Sequence, residues 1–373
     1  MGTGQRSPIL TLWKERSTSE NYGKRISPVS TQINWSGCHH RLHRRLLQNP
    51  KLLPDGISLL LAVSGGQDSM AMLGLLGQLQ HSHGWTLQLW HGDHSWHTGS
   101  TKVADELANW CKQEGLSLRI SRAASGQAIT ETSARAWRYS QLLAAAAELQ
   151  SDVVTAHTAT DRAEGVLLNM ARGCGLHGLS ALNADRALSS QHPDGPRLRR
   201  PFLDLTRSET AGICRSLNLP IWVDPSNQDL HLARNRIRHQ VMPVLGELHP
   251  GSDRRIAELS DRVSHVRETQ IQLSRLALEA LQHEDGLNRK RMLQLEAHTC
   301  RALILTWLRE CGAPSVGSET LHVLSHLLRK GDTKGQYNLG AQWWVRWNKS
   351  TIQLINATSI KSPVSPHFTS IKP

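Results

Sequence analysis

The segment Ser64–Ser69, with the sequence SGGQDS, combines glycines, hydroxyls and a carboxylate directly after an apolar stretch. Two adjacent glycines let a backbone turn sharply and approach a ligand closely. The free N–H groups of such a loop, and of a helix that begins behind it, converge on one point of positive potential. The sequence therefore predicts a phosphate site made by Ser64, Gly65, Gly66, Gln67, Asp68 and Ser69.

Asp68 is the one acid of this segment, and a bare phosphate would repel it. A carboxylate beside phosphates is typical of a Mg²⁺ site or of a contact with another substrate group. The chain has no Walker A loop, so ordinary transfer of a γ-phosphoryl group is disfavoured. The simpler alternative is a generic turn of small residues at the end of a strand.

A second group of ionisable residues follows another short apolar stretch. If a helix begins near residue 158, His157, Asp161 and Glu164 are spaced at i, i+4 and i+7 and share one face. Two carboxylates and an imidazole can bind Mg²⁺ or a cationic substrate, or transfer protons. The alternative is a solvated helix start with favourable acids in its first turn.

Two further segments carry candidate ligands. His91–His97, with the sequence HGDHSWH, follows a predicted strand and could contribute to a site, but no cysteine pair completes a zinc site there. Arg234, Arg236 and Arg238 place three guanidiniums within five residues, behind the rigid turn Asp224–Asn227. Arginines this dense can contact the backbone phosphates of a folded RNA. The alternatives are a polar loop with incidental histidines and a solvated basic helix.

The composition supports an anionic partner and a reducing compartment. The 373 residues hold 43 Lys and Arg against 31 Asp and Glu, a net charge of +12, which is typical of proteins that meet a nucleic acid or an acidic membrane surface. The longest apolar stretch, Ile57–Val63, falls far short of the ~20 residues that cross a bilayer. The six cysteines form no C-x-x-C pair, which argues against a disulfide framework and favours the cytoplasm.

These candidates need a scaffold, and the first half of the chain alternates predicted strands and helices. The strands are Ile57–Val63, Trp85–His91, Leu116–Ser121 and Asp152–Ala156. The helices are Ser69–Leu79, Ser100–Glu114, Glu131–Leu149 and Arg162–Arg172. This alternation predicts an α/β fold with a Rossmann-like parallel sheet, whose ligands lie beyond the carboxyl ends of the strands.

The second half changes character. We expect an exposed loop over 183–199, a helix over Ser208–Asn218 and a short strand over Pro220–Val223. From about Pro250 the pattern is helical, followed by a β-hairpin. The helices are Ser252–His283, Leu293–Cys311 and Glu319–Lys330, and the hairpin strands are Gln342–Trp347 and Thr351–Ile355. The predicted organisation is a flexible tail over 1–34, with a transit peptide as its alternative, a domain over 35–248, and a smaller, mainly helical domain over 249–373.

Taken together, these segments resemble the PP-loop ATP pyrophosphatase superfamily and, within it, the tRNA(Ile)-lysidine synthetase family. The resemblance covers roughly 57–245 well, and four motifs carry it: Ser64–Ser69 (SGGxDS), Arg172–Leu179 (RGxGLxGL), Arg200-Pro201 (RPLL), and Asp224–Asn227 with Arg234–Arg238 (DPSN and RNxIR). The last two motifs separate this family from other PP-loop enzymes.

The resemblance implies a ligase that uses ATP. In that reaction ATP adenylates carbon 2 of the wobble cytidine in the CAU anticodon of tRNA(Ile), and pyrophosphate leaves. Free L-lysine then displaces AMP, and the resulting lysidine changes decoding from AUG to AUA. The resemblance makes 35–248 the ATP-binding catalytic domain and 249–373 the tRNA-binding domain; a homodimer is compatible with the sequence, and no membrane is involved.

The resemblance also implies roles for individual residues. The implied catalytic residues are Asp68, His157, Asp161, Glu164 and Arg138, with Arg135 as the alternative to Arg138. The implied ATP contacts are Ser64–Ser69 and His91, with Mg²⁺ on Asp68. The implied tRNA contacts are Arg200, Arg234, Asn235, Arg236 and Arg238.

The chain departs from the family pattern in two segments. In the second-strand motif, Gly92, Ser95, Trp96 and His97 replace the usual residues. In the motif after the fourth strand, Thr160, Arg162 and Gly165 replace an Asp, a Gln and a Thr, so one usual carboxylate is missing.

Two other functions compete. A PP-loop tRNA thiolase would activate a base with ATP and add sulfur, but that chemistry usually uses paired cysteines. A non-catalytic tRNA-binding protein would have a decayed nucleotide site, which the intact Ser64–Ser69 segment argues against.

Overall fold

A computed structural model describes residues 35–95, 98–124, 130–180, 182–223, 228–284, 286–330 and 334–356. The predicted tail over 1–34 lies outside these residues. The chain divides into two compact units, the first ending at Val263 and the second beginning at Ser264. The predicted functional domains, 35–248 and 249–373, are defined by the family resemblance and not by compactness, and they stay a prediction.

The first unit is built on a mostly parallel sheet with the strand order β3-β2-β1-β4-β6-β5. The strands are β1 Ser58–Ala62, β2 Thr86–Asp93, β3 Leu118–Arg122, β4 Asp152–Val154, β5 Asp185–Ala187 and β6 Arg197–Arg199. All neighbouring strands are parallel except β5, which is antiparallel to β6. The predicted α/β class with a Rossmann-like parallel sheet is confirmed.

Helices connect and cover these strands. They are α1 Gly37–Gln48, α2 Gln67–His83, α3 Thr98–Glu114, α4 Glu131–Glu148, α5 Ala159–Ala171, α6 Leu176–Leu179, α7 Arg207–Ser216, α8 Ala233–Arg236, α9 Met242–Leu248 and α10 Ser252–Leu281. A π-helical turn, Ile237–Val241, joins α8 to α9. The boundary between the two units falls within α10.

Strand β1 shows why the sheet needs helices on both faces. Successive side chains of a strand point to opposite faces. Leu59 and Leu61 pack in a core with residues of α1, α2 and α7, whereas Leu60 packs on the other face with Leu142 of α4 and with Val153. A strand that is apolar at every position must be covered twice, which explains its continuous apolar sequence.

Two expectations for this unit are wrong. Residues 183–199, expected as an exposed loop, contain β5 and β6. These three-residue strands carry charged side chains whose partners lie on the same or a neighbouring strand. Arg199 pairs with Asp152 and Arg197 with Asp185, both at 2.6 Å. Residues 220–223, expected as a strand, form none: the Trp222 N–H donates instead to the Gly65 carbonyl, at 3.0 Å.

The second unit packs helices against an antiparallel sheet. Its elements after α10 are β7 Gln282–His283, β8 Gly286–Asn288, α11 Arg289–Leu293, α12 Ala297–Glu310, α13 Ser318–Arg329, β9 Gly335–Gly340, β10 Trp343–Trp347 and β11 Thr351–Asn356. The predicted hairpin is confirmed as β10 and β11, but it belongs to a five-stranded sheet of order β7-β8-β11-β10-β9. Trp307, Leu324, Val345 and Ile352 lie in its core.

No helix in the described ranges is both long and apolar enough to cross a membrane.

Candidate active site

The loop between β1 and α2 has the shape that the sequence predicts. Gly65 has φ of +83°, which side-chain-bearing residues rarely adopt, and a Cβ there would approach the Trp222 ring to 3.2 Å. The Ser69 hydroxyl donates to the Gly66 carbonyl (2.8 Å) and accepts from the Ser64 N–H (3.1 Å). Ser69 therefore holds the loop closed on itself.

Helix α2 begins at Gln67 with Gly66 as its N-cap, and no described side chain caps it. Its first-turn N–H groups are therefore available for an anion, as in other phosphate-binding helix starts. The Gln67 side chain is committed elsewhere, since its amide donates to the Arg207 carbonyl (2.7 Å) and the Thr210 hydroxyl (2.8 Å). Its contribution to an anion site is therefore limited to its backbone.

Asp68 is held by α7. The Thr210 hydroxyl donates to its Oδ1, and Arg207 Nη1 donates to its Oδ2 at 3.2 Å. Burial raises the pKa of Asp68 above its usual range, with Thr210 and Arg207 acting in the opposite direction. Arg207 and Thr210 were not predicted as site residues. The predicted helix began at Ser208, one residue after Arg207, so the i, i+3 spacing of the pair on one helix was hidden.

The residues around Asp68 fit a Mg²⁺ ion that is bound through a single protein carboxylate. Mg²⁺ is usually held by one or two carboxylates together with substrate phosphates and waters. In the described part of the chain, no three His, Cys, Asp or Glu side chains converge on a possible metal position. Asp68 would therefore be the protein's carboxylate ligand, and each of its oxygens keeps a lone pair beyond the contacts above.

The end of β2 contacts the residue at which the chain leaves β1 for the loop. The His91 ring donates from Nδ1 to the Val63 carbonyl at 2.8 Å, and burial lowers the pKa of His91, so the ring is neutral. Asp93 is buried; burial would raise its pKa, but donors that include the Ser95 N–H and the Ser100 hydroxyl lower it. His91 thus positions the strand end that leads into the loop.

Arg138 reaches the same region from α4. It donates to His94 Nε2 through Nη2 (2.7 Å) and Nε (3.2 Å). His94 also makes an edge contact with Trp137. Arg135, the alternative to Arg138, instead lies over the ring of Tyr139. The predicted residues Trp96 and His97 lie outside the described residues.

The acidic helix forms as predicted, but its acids are not solvated. Thr158 caps α5: its hydroxyl accepts from the Asp161 N–H, and its own N–H donates to the Asp161 carboxylate at 2.9 Å. Glu164 follows one turn later and is fully buried. Two buried or half-buried carboxylates on one helix face require cationic partners.

Those partners are the arginines that the sequence assigned to RNA. Arg238 donates from Nε to Glu164 Oε1 (2.6 Å) and from Nη2 to Asp161 Oδ1 (3.2 Å). Arg234 donates to Glu164 Oε2 (2.9 Å) and Asp161 Oδ1 (3.0 Å). Burial would raise the pKa of Asp161, but Arg234 and then His157 hold it below its usual range. Two segments 70 residues apart in sequence thus form one neutralised cluster.

His157 lies at the edge of this cluster. The Thr155 hydroxyl is 2.9 Å from its Nδ1. Burial lowers the pKa of His157 to about 3; Asp161 opposes that shift, whereas Arg200 and Arg234 add to it. The imidazole is therefore neutral at physiological pH, and it can accept or donate a hydrogen bond without adding charge.

The other predicted RNA contacts differ in exposure. Arg236 is exposed and donates to Gln240 at 3.3 Å, whereas the buried Asn235 donates to the Asp229 carbonyl at 2.9 Å. Arg200 is 2% exposed and donates to the Asn183 carbonyl at 2.7 Å. The predicted turn Asp224–Asn227 lies outside the described residues.

Comparison with known proteins identifies the family of the chain. A PP-loop domain family matches residues 39–245, and the TilS substrate binding domain matches residues 287–352. A tRNA(Ile)-lysidine synthase of Parasynechococcus marenigrum is 49% identical over 322 residues, which cover 86% of this chain and 96% of that protein. One from Prochlorococcus marinus is 43% identical, over 88% and 99% of the two chains. The chain belongs to the tRNA(Ile)-lysidine synthase family.

A solved structure is similar in fold. The U34-tRNA thiolase NcsA from Methanococcus maripaludis with its 4Fe–4S cluster aligns with a TM-score of 0.51 and 20% identity, covering 61% of this chain and 80% of that one. The resemblance to the PP-loop superfamily and to tRNA(Ile)-lysidine synthase enzymes, which are ligases, is therefore confirmed.

The departures from the family pattern have structural partners. The Thr160 hydroxyl donates to Asp253 (2.9 Å) and accepts from the Arg207 N–H (3.1 Å). Arg162 pairs with Asp261 at 2.5 Å and also donates to the Leu182 carbonyl. Two of the three replacements on α5 thus bind acids of α10, within the first unit of this tRNA(Ile)-lysidine synthase family member.

Proposed function

We propose that this protein catalyses ATP-dependent formation of lysidine at the wobble cytidine in the CAU anticodon of tRNA(Ile). In the first step the cytidine O2 attacks the α-phosphorus of ATP, and pyrophosphate leaves. In the second step the side-chain amine of free L-lysine attacks carbon 2, AMP leaves with the oxygen, and the amine loses a proton. The tRNA then decodes AUA instead of AUG.

One observation carries the proposal: two different sites open at the carboxyl ends of adjacent parallel strands. The phosphate loop follows β1, and the cluster of Asp161 and Glu164 with their arginines follows β4, which pairs with β1. Neighbouring strands lie about 4.8 Å apart, so a nucleotide phosphate and a base can both be reached from this edge.

The charge of each residue in the site indicates its role in the reaction. The uncapped first-turn N–H groups of α2, from Gln67 onward, bind the phosphates. Arg138 adds a cation near the end of β2. Mg²⁺ on Asp68 would neutralise charge on the pyrophosphate as it leaves. Asp161 positions the reacting base and the amine, and the two arginines that it shares with the buried Glu164 keep it from repelling ATP. His157 is neutral and can hydrogen-bond the base.

The two domains take separate roles in this proposal. Residues 35–248 form the ATP-binding catalytic domain, and residues 249–373 form a tRNA-binding domain, supported by the match of the TilS substrate binding domain to 287–352. Arg236 is the exposed member of the arginine segment and is the one best placed to meet RNA. ATP, L-lysine and tRNA meet in the cytoplasm, and the proposal requires no homodimer.

The cysteines favour this function over a thiolase. All six are free, and burial raises the pKa of Cys111 to about 12 and that of Cys214 to about 11. Thiols that resist ionisation are poor ligands and nucleophiles. The closed loop at Ser64–Ser69 likewise argues against a non-catalytic protein.

The test measures AMP and pyrophosphate release from ATP, L-lysine and a tRNA(Ile) transcript with a CAU anticodon. We expect AMP release only when all three substrates are present, and a nucleoside heavier by lysine minus water. Without L-lysine, ATP and the transcript should release no more than one pyrophosphate per RNA, because adenylation precedes the attack of lysine. A transcript with UAU at the anticodon is the matched control and should give no product. Sulfur incorporation without lysine would support the thiolase, and no ATP turnover would support the non-catalytic protein.

A further inference from the structure

Three arginines surround Tyr139 in the first unit, and the proposed function does not use them together. The guanidinium carbons of Arg135 and Arg186 lie 5.2 and 5.3 Å from the centre of the Tyr139 ring. Arg200 interacts with the Tyr139 hydroxyl. These residues, here called the Tyr139 arginine cluster, come from α4, from β5 and from the end of β6.

The cluster lacks counter-charge among the described residues. Arg197 and Arg199, on the same strand that leads to Arg200, both pair with carboxylates. In contrast, no described carboxylate pairs with the three arginines of the cluster, and Arg200 is 2% exposed with its Nε lacking a partner. Burial, and then the neighbouring Arg186, lower the pKa of Arg200. A buried charge is normally compensated, so an anion is the missing partner.

The geometry favours a phosphate group over a base. With Arg135 and Arg186 packed against it, the Tyr139 ring already serves as their cation–π partner. Arg186 Nη1 donates to the Ala187 carbonyl (2.8 Å) and Arg200 Nη1 to the Asn183 carbonyl (2.7 Å). The remaining N–H groups of the three planar guanidiniums have a forked arrangement that matches phosphate oxygens. Burial would raise the pKa of Tyr139, but the three arginines lower it, which shows how positive the surroundings of its hydroxyl are.

The sheet order separates this cluster from the phosphate loop. The loop follows β1, Asp161 follows β4, and Arg200 follows β6, in the strand order β1-β4-β6. At about 4.8 Å per strand, the cluster lies roughly 10 Å from the loop, across the start of α5. The nucleotide phosphates have their site on one side of the acids, and the cluster provides a second phosphate site on the other side.

We propose that Arg135, Arg186 and Arg200, arranged around Tyr139, bind a backbone phosphate of the RNA strand that carries the reacting nucleotide. This inference rests on the proposed function, because it takes the start of α5 as the place where the base reacts. A strand held on one side and ATP on the other would present the base between them.

The first test compares Arg186→Gln with Arg119→Gln in the full-length protein. Arg119 is a matched control, since it lies in the same unit and pairs with Glu148 on the surface, away from the cluster. Binding of the CAU transcript is measured against salt. We expect Arg186→Gln to lower the slope of log K against log salt by about 0.7, the value for one single-strand phosphate, with the KM for ATP unchanged. Arg119→Gln should leave the slope unchanged.

The second test finds the phosphate. Anticodon stem-loop RNAs carry a single uncharged methylphosphonate at each position around the target cytidine in turn. We expect one position at which the methylphosphonate weakens binding to the wild type, about tenfold, and has little further effect on Arg186→Gln or Arg135→Gln. Such non-additivity identifies a direct pair.

The outcomes separate this inference from the proposed function. If the wild type makes no lysidine, the proposed function fails. If it makes lysidine but every methylphosphonate acts additively with Arg186→Gln, the phosphate site is refuted. A rise in the KM for ATP or for L-lysine with unchanged RNA affinity would also refute it, because the anion would then be a nucleotide phosphate or an amino-acid carboxylate.

Discussion

Asp68 lies at the proposed phosphate site, where a free carboxylate would repel the ligand. Its carboxylate is shared between the Thr210 hydroxyl and the Arg207 guanidinium, both from α7, so it enters the site already partly neutralised. A divalent ion would complete that neutralisation when ATP binds. The first-turn N–H groups of α2, which no described side chain caps, then remain available for the phosphates.

We expect Asp68→Asn to lower the rate of pyrophosphate release by a factor on the order of 10² or more, because the amide is a poor metal ligand. tRNA affinity should stay within about twofold in filter binding, since the carboxylate serves the nucleotide. Asp105→Asn, a surface substitution of the same charge, is the control. Equal losses of rate and RNA affinity would mean that Asp68 supports the fold of the whole site.

His157 makes a pH-dependent contribution to stability. Its folded pKa of about 3 lies below the ordinary value near 6.5, so the unfolded chain binds a proton in this window and the folded one does not. This group therefore lowers the free energy of unfolding as the pH falls from about 6.5 toward 3, by up to roughly 1.4 kcal/mol per pH unit.

The measurement is urea unfolding of the wild type and of His157→Asn between pH 7.5 and 5. We expect the variant to lose less stability on acidification. The slope of its unfolding free energy against pH should be smaller than that of the wild type by close to one bound proton. His40, an exposed histidine, provides the control variant His40→Asn. Parallel pH profiles for the wild type and His157→Asn would mean that His157 takes up its proton as readily in the folded protein as in the unfolded chain, and would contradict the lowered pKa.

At the scale of elements, the helix pair α5 and α10 carries the departures from the family pattern. Arg162 replaces a glutamine and is 3% exposed in its side chain, so it needs the Asp261 carboxylate. Thr160 replaces an acid and donates to Asp253, two turns earlier on α10. The two replacements thus anchor the start of α5, which holds Asp161, to the helix beside it.

We expect Asp261→Asn to lower the free energy of unfolding by roughly 2 kcal/mol, because it leaves the buried Arg162 charge without a partner. Adding Arg162→Gln, which restores the family residue, should recover part of this loss. Chemical denaturation of the single and double variants measures both effects. A double variant less stable than either single one would mean that Arg162 acts through packing alone.

The same elements show what the sequence could predict. The loop after β1 and the capped start of α5 follow from local residue types, so glycine pairs, hydroxyls and acids were enough to place them. The pairing of Arg234 and Arg238 with Asp161 and Glu164 was missed because it joins residues 70 apart, and local spacing carries no such information. Strands β5 and β6 were missed because their charged residues form ion pairs, which hides the usual apolar alternation.

At the scale of the whole molecule, the net charge of +12 agrees with a polyanionic partner. Many arginines of the first unit pair with carboxylates of the same unit, so their charge is not available to RNA. The second unit offers a different surface. On strand β10, Val345 and Trp347 face the core, whereas Arg346 is exposed and lies between Gln336 and Gln353 of the flanking strands.

This face predicts two separable contributions to tRNA binding. Arg346→Gln should weaken binding and lower the salt slope by about 0.7–0.9, because a cation that meets a phosphate releases counterions. Trp344→Ala, on the same face, should weaken binding by about 1 kcal/mol with the slope unchanged, because stacking on a base involves no ions. Arg309→Gln, which removes an exposed charge from α12, is the matched control. If Arg309→Gln and Arg346→Gln change the slope equally, the second unit contributes only diffuse charge, and the sheet face is not where the tRNA binds.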